Sequence, residues 1–325
     1  MTVREFDGGL HAEAGAARIS VEHDLTIKYI EDFGLKMAPF YPSAESFVRL
    51  RNGGAERIDW KRYVAAIAPS ISLGKAGNWK KIGGGNDLLP KAFADKLGGK
   101  IRFEAPVGKI EQDRDGVTVH FAEKGRMQMI RGDLLVLAIP FTMLAKIEVT
   151  PRFSKAKADV IRTITYESAS RVLLETKKRF WHDSKLNGFA LGENLTEIWD
   201  GTLGESGTGG ILQKYIRFDD SVALTRQTPD ERLKVTLSSL EKLLPGTRAN
   251  YVRGFTKCWS EDPWTRGAWG LLAGDRLTTG RAREGRIFFA GEHLSGHASW
   301  MQGALQSGLS AVEDIKKFKL TSANL

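Results

Sequence analysis

Residues 286–308 constrain this chain more than any other stretch: Arg-Ile-Phe-Phe-Ala-Gly-Glu-His-Leu-Ser-Gly-His-Ala-Ser-Trp-Met-Gln-Gly-Ala-Leu-Gln-Ser-Gly. The apolar run at 287–290 reads as a buried strand that stops at Gly291-Glu292. A short polar loop follows. It leads into a helix in which Gly303, Ala304, Ser307 and Gly308 permit close backbone approach. The first N–H groups of a helix have no internal acceptor, and its dipole is positive there. A strand end and a helix start aimed together therefore suit an electron-rich ligand, and the fold expected around them is α/β with mixed sheets.

Composition narrows the class. A chain of 325 residues forms one large or two ordinary domains. Its 42% hydrophobic and 27% charged content is ordinary for a soluble globular protein. No apolar run approaches the roughly 20 residues of a membrane span. The opening Met-Thr-Val-Arg-Glu-Phe-Asp has neither a signal-peptide core nor transit character. The expectation is a cytoplasmic protein without a membrane partner. Cys258 stands alone, which excludes an internal disulfide and a cysteine-rich metal site. The net charge of +9 raises nucleic-acid binding, yet acidic residues are interleaved nearly everywhere and the runs Lys177-Lys178-Arg179 and Lys316-Lys317 are short. A solvated basic surface that steers anionic substrates is expected, with no nucleic-acid partner.

Local signals order the chain. Leu25, Ile27, Ile30 and Phe33 give residues 21–33 a helical period, closed by Gly34. Asn52-Gly53 and Asp115-Gly116 predict hairpin turns. Helices are expected over 60–68, 88–97, 154–164 and 229–244, and strands over 171–175 and 210–218. Residues 133–140, ending in Pro140, read as a fully buried strand.

Several segments carry a family likeness in a fixed order. They are Gly15-Ala16-Ala17-Arg18 before a helix ending Phe33-Gly34-Leu35, Ile82-Gly83-Gly84-Gly85 with Leu89-Pro90, and residues 107–110 and 132–140. Arg179-Phe180-Trp181, residues 259–267 and Phe289-Ala290-Gly291-Glu292-His293 complete the set. In this order and spacing the chain resembles the FAD-dependent amine oxidases, the family of monoamine oxidases and L-amino-acid oxidases, over nearly its whole length. The resemblance implies an incomplete, discontinuous FAD-binding domain over 1–20, 79–143 and 270–318. It also implies a helical substrate-side segment over 21–78 and a substrate-binding domain over 144–269.

One departure stands out. The family opens with a strand, a Gly-x-Gly-x-x-Gly loop and a helix that hold the FAD pyrophosphate. No three glycines here fall at i, i+2 and i+5; Leu88 and Leu212 stand where the third would follow Gly83/Gly85 and Gly207/Gly209. Residue 1 falls just after the point where that unit ends in the family. A truncated frame, one piece of a split enzyme whose second chain supplies the unit, and a remnant without cofactor all stay open, as does a homo-oligomer.

The resemblance assigns roles residue by residue. The Val107 backbone meets the adenine, Gly291 and Glu292 lie by the ribityl-phosphate, and Met301 sits at the pyrimidine edge of the flavin. Arg18 matches the arginine that holds a substrate carboxylate; its bland alternative is pairing with Glu13 or Glu22. Trp300 and Tyr215 are aromatic walls that desolvate the substrate amine, Tyr215 being equally core material. Trp264 and Trp269 are expected as packing residues. Arg171 replaces a lysine associated with reoxidation by oxygen, which opens oxidase and dehydrogenase alike; its alternative is pairing with Glu175. The expected reaction is oxidative deamination of an L-amino acid by hydride transfer to flavin N5, giving keto acid, ammonia and, with oxygen, hydrogen peroxide. Oxidation of a simple amine is the nearest alternative. His293 and His297 are spaced like ligands, but the Leu-Ser-Gly that follows His293 breaks the helix such a pair needs, so no metal is expected.

Overall fold

The computed structural model describes residues 1–42, 46–67 and 79–322. Contacts divide the chain into two compact units, Met1–Ala92 with Ser168–Ser260 and Phe93–Glu167 with Glu261–Leu325. These cuts differ from the sequence reading, and packing explains why. Val3, Phe6, Leu10, Ala12 and Ala14 form one buried cluster with Leu173 and Ile211, so the N-terminal residues belong with the large sheet. Val160 and Ile161 instead join Phe141, Ile287 and Phe289, which carries residues 144–167 into the second unit.

The first unit is built on a seven-stranded sheet. Its spatial order is Tyr251–Cys258, Ala169–Thr176, Gly210–Arg217, Glu197–Asp200, Leu186–Leu191, Ser46–Arg51 and Gly54–Ile58. Pairing is antiparallel except between Leu186–Leu191 and Ser46–Arg51. The Asn52-Gly53 hairpin forms as expected, both residues at positive φ (51° and 77°), the geometry of a two-residue turn between twisted strands. Every residue of Ala169–Thr176 is buried, because both faces of the sheet are covered. Val172, Leu174, Leu212, Ile198 and Ile216 pack against Leu240 and Leu243 of the helix Pro229–Leu243. That helix starts on a capping box between Thr228 and Glu231, with Pro229 in its first turn. Leu173 and Ile211, of opposite parity, meet the N-terminal residues on the other face.

The second unit carries a four-stranded sheet in the order Glu148–Thr150, Val107–Gln112, Val117–Glu123 and Arg126–Gly132. The last of these is not among the strands expected from the sequence; Arg126-Met-Gln-Met129 alternates but Ile130 breaks the pattern, and all seven residues are exposed. The buried strand expected at 133–140 is shorter: Leu135–Leu137, of which Leu137 alone is buried. It pairs in parallel with Ile287–Phe289 in a two-stranded sheet, and one neighbour leaves Leu135 and Val136 accessible. Lys157 anchors the unit's helices, its Nζ donating at 2.7 Å to the carbonyls of both Gly280 and Ala282. Among the described residues no helix is long and apolar enough to cross a membrane.

Candidate functional site

Strand register assembles a charged row in the first unit. Arg171 lies opposite Tyr215, and Tyr215 opposite Glu197, so three adjacent strands present these three side chains on one face. Trp199, two residues past Glu197, shares that face. Arg18 reaches the row from the loop after Ala12–Glu13. Ile19 and Lys80 exchange two backbone hydrogen bonds of 2.8 Å, and Asn86 Nδ2 donates to the Ala16 carbonyl at 2.9 Å, which fixes the backbone on either side of Arg18.

Arg18 and Glu197 are buried together, 6% and 0% exposed. Arg18 Nη1 donates to Glu197 Oε2 at 2.8 Å and to the Tyr41 hydroxyl at 2.7 Å. Trp199 Nε1 adds a third bond to Glu197 Oε2 at 3.1 Å, and Arg217 Nη2 stands 3.5 Å from Oε1. The sequence expected Arg18 to be open to a ligand or paired with Glu13 or Glu22; its partner is Glu197, from a strand that the sequence did not signal. Burial disfavours the Arg18 cation, but the adjacent Glu197 carboxylate outweighs this and holds its pKa above the ordinary value.

Arg171 is in the opposite situation. It is buried, and Glu175, its expected partner, bonds Arg253 at 2.7 Å instead. The Arg171 guanidinium carbon lies 3.4 Å from the Tyr215 ring centre and 4.5 Å from that of Trp199. Nη2 donates to the Gly15 carbonyl at 3.2 Å, while Nη1 has no acceptor among the described residues. Burial pulls its pKa down to about 10, and neighbouring Arg18 adds to that, yet the group stays charged at neutral pH. A buried cation whose nearest carboxylate is committed to another arginine is costly, and an incoming anion relieves it.

The second unit holds the loop that opened the sequence reading. Gly291 N–H donates to Ser307 Oγ at 2.8 Å, tying the strand end to the helix Met301–Ser322. Glu292 accepts from the N–H of Gly270 at 2.9 Å and of Ser299 at 2.6 Å. Burial pushes its carboxyl pKa up and these two donors offset part of the rise. Ser299 is thereby held at φ 71°, in the left-handed region, immediately before half-buried Trp300. Trp300 supplies the carbonyl that accepts from Gly303, and the Met301 N–H has no acceptor among the described residues. Val107, at the start of its strand, is 37% exposed, and no hydrogen bond ties it to residues 291–301 among the described residues.

Gly303 is obligatory here. A Cβ at this position would lie 2.2 Å from both the His297 carbonyl oxygen and Ser295 Oγ. Alanine favours a helix interior by about 1 kcal/mol, but forced overpacking costs about 1–3 kcal/mol or more. Gly303→Ala should therefore lower the thermal midpoint; an unchanged or raised midpoint would show that the loop yields without cost.

His293 and His297 do not act as a pair. His293 is buried, its ring 4.6 Å from that of Phe141, whereas His297 is exposed and bonds Gln306 at 3.1 Å. Burial alone pulls the His293 pKa from 6.5 down to about 4. Above pH 6.5 both folded and unfolded chains keep it neutral, and its stabilising contribution is complete. As pH falls toward 4 the unfolded chain takes up a proton that the folded one refuses, so stability declines by up to about 1.4 kcal/mol per unit. Urea titrations at pH 7 and pH 4.5 should show this slope in the wild type relative to His293→Leu; parallel slopes would contradict it. Trp264, expected as a packing residue, is 61% exposed; Trp269 is half-buried in Trp269–Leu271.

The structure thus brings Arg18, Arg171 and Tyr215 together in one unit and Gly291, Glu292, Trp300 and Met301 in the other. Glu197, Trp199 and Tyr41 are additions. No local signal marked them: Glu197-Ile-Trp-Asp is polar at both ends and apolar between, without the alternation of a strand.

Comparison with known proteins gives concordant matches. The family model described as flavin containing amine oxidoreductase matches residues 52–316. An L-amino-acid oxidase of Siganus canaliculatus is 28% identical over 262 residues, 76% of this chain and 49% of that protein. The flavin-dependent L-tryptophan oxidase RebO of Lentzea aerocolonigenes is 29% identical over 249 residues, 73% of this chain and 52% of its own length. The chain thus spans about half the length of the curated relatives it matches. In fold it is similar to putrescine oxidase bound to putrescine, at a TM-score of 0.82 and 18% identity, over 97% of this chain and 90% of that one.

Proposed function

The chain belongs to the flavin-containing amine oxidoreductases, and on that premise we propose that it serves the FAD-dependent oxidation of an amine, specifically an L-amino acid. One observation carries the choice of substrate: Arg171 is a buried guanidinium whose Nη1 lacks an acceptor among the described residues. A substrate carboxylate supplies that acceptor and a simple amine does not, and charge-assisted bonds to guanidinium are among the stronger hydrogen bonds available. Because Glu197 occupies Arg18, the carboxylate contact passes from Arg18 to Arg171. Arg18, Tyr41 and Trp199 then hold Glu197 as fixed counter-charge.

The second unit fits the ring end of a flavin. A 22-residue helix begins at Met301, directly after Trp300, and its first N–H has no partner within the helix. Trp300 and Met301 would hold the ring end and Gly291 and Glu292 the ribityl-phosphate, with Val107 toward the adenine. When bound, FAD supplies the hydride acceptor. No residue is assigned to the pyrophosphate, because no Gly-x-Gly-x-x-Gly is present in the sequence. Arg171 orients the substrate by its acid group. Tyr215 and Trp199, beside Arg171, exclude water, which disfavours the ammonium form and leaves a neutral amine.

A second reading, oxidation of a carboxylate-free amine, is favoured by the internal carboxylate already at Arg18. The two separate by turnover of L-leucine against 3-methylbutan-1-amine, which share a side chain, followed as ammonia and carbonyl product with added FAD. The L-amino acid reading requires leucine to be the better substrate. Preference for the amine sinks it.

A further inference from the structure

Successive residues of a strand face opposite ways, so Lys214, next to Tyr215, lies on the far side of the large sheet from Arg171. There it lines a cavity of about 230 Å³, closed by the strands at Ile198 and Ile216 and by the helices Phe218–Thr225 and Pro229–Leu243. Pockets for drug-sized ligands measure about 300–1,000 Å³, so this one suits a small metabolite.

Its lining is divided. Leu50, Ile216, Leu224 and Leu243 make an apolar wall. Lys214 and Lys242 contribute cations, and Glu193 and Asp220 contribute carboxylates, Asp220 Oδ2 accepting one bond from Asn194 Nδ2 at 3.3 Å. Lys214 Nζ has one hydrogen-bond partner among the described residues, Ser239 Oγ at 3.1 Å, leaving ammonium donors unspent. Neither carboxylate approaches it within ion-pair distance among the described residues; burial lowers its pKa, and Asp220 and Glu193 act on it only from further away. A lysine on a sheet face between Ile198 and Ile216 gains nothing from packing that an aliphatic residue would not gain. Cation, anions and apolar wall therefore remain separately available to a ligand that carries both charges.

We propose that this cavity binds a free α-amino acid with an aliphatic side chain, at a site distinct from that of Arg171. Its carboxylate meets Lys214, its ammonium meets Asp220 and Glu193, and its side chain covers Leu224 and Leu243. This rests on the cavity alone and stands whether or not the chain oxidises amines.

The test is calorimetric titration of the full chain with L-leucine in an Arg171→Met background, which removes the other carboxylate contact. Saturable binding of one leucine per chain is expected, weakened at least tenfold by Lys214→Met and by Asp220→Asn. Both 4-methylpentanoate and 3-methylbutan-1-amine, each carrying one of the two charges, should bind at least tenfold more weakly than leucine. Absence of saturable binding overturns the proposal, as does equal binding of 4-methylpentanoate. Should Lys214→Met fail to fold, Asp220→Asn decides: Asp220 is exposed, and unchanged leucine affinity in that folded variant also overturns the proposal.

Discussion

Glu197→Gln is expected to destabilise the first unit by about 3–5 kcal/mol, the range for breaking one partner of a buried ion pair. Glutamine fills the same volume and still accepts one hydrogen bond, so no cavity contributes. What changes is charge. Arg18 is 6% exposed and loses its counter-ion, while Arg171 loses the attraction of the same carboxylate. Removing Arg18 as well should recover part of the loss, because Arg18→Met in the glutamine background deletes the uncompensated cation. Urea unfolding of the four members of this cycle measures the coupling. A Glu197→Gln midpoint within about 0.5 kcal/mol of wild type, the scatter of ordinary surface changes, would mean that the pair carries no structural weight.

Arg171→Met is expected to separate stability from activity. Among the described residues Arg171 makes one bond, to Gly15, and leaves Nη1 buried without an acceptor. Methionine keeps an unbranched side chain against Tyr215 and Trp199 and removes the desolvated charge. Stability should hold or rise. Loss of a hydrogen bond to a charged group costs about 1.5–3 kcal/mol, which corresponds to roughly 10- to 150-fold in KM for an L-amino acid. A carboxylate-free amine should show no such loss. A variant that unfolds more readily, with both substrates equally impaired, would make Arg171 a structural residue.

Much of this was legible in the sequence where a local signal existed. The Asn52-Gly53 hairpin, the Pro229–Leu243 helix, and the Ile287–Phe289 strand leading to the Met301–Ser322 helix all follow from turn chemistry and periodicity. The strand Arg126–Gly132 was missed because its alternation, Arg126-Met-Gln-Met129, is short and stops at Ile130. The reach of residues 133–140 was overestimated because burial along a strand depends on how many neighbours it finds. The site divided in the same way. Arg18, Arg171 and Tyr215 were identifiable one at a time. The bond from Arg18 to Glu197 spans 179 residues and depends on the register of Glu197–Asp200 against Gly210–Arg217, which no local pattern encodes. That register also decided which arginine is spent and which is open.

The central claim, that this chain supports flavin-dependent oxidation of an L-amino acid, is tested most directly by visible absorption. The purified chain would be incubated with FAD, stripped of excess, and mixed anaerobically with L-leucine. The account predicts a retained flavin band that bleaches with L-leucine and stays unchanged with 3-methylbutan-1-amine. A chain that retains no flavin, or a retained band that L-leucine leaves unbleached, would contradict it.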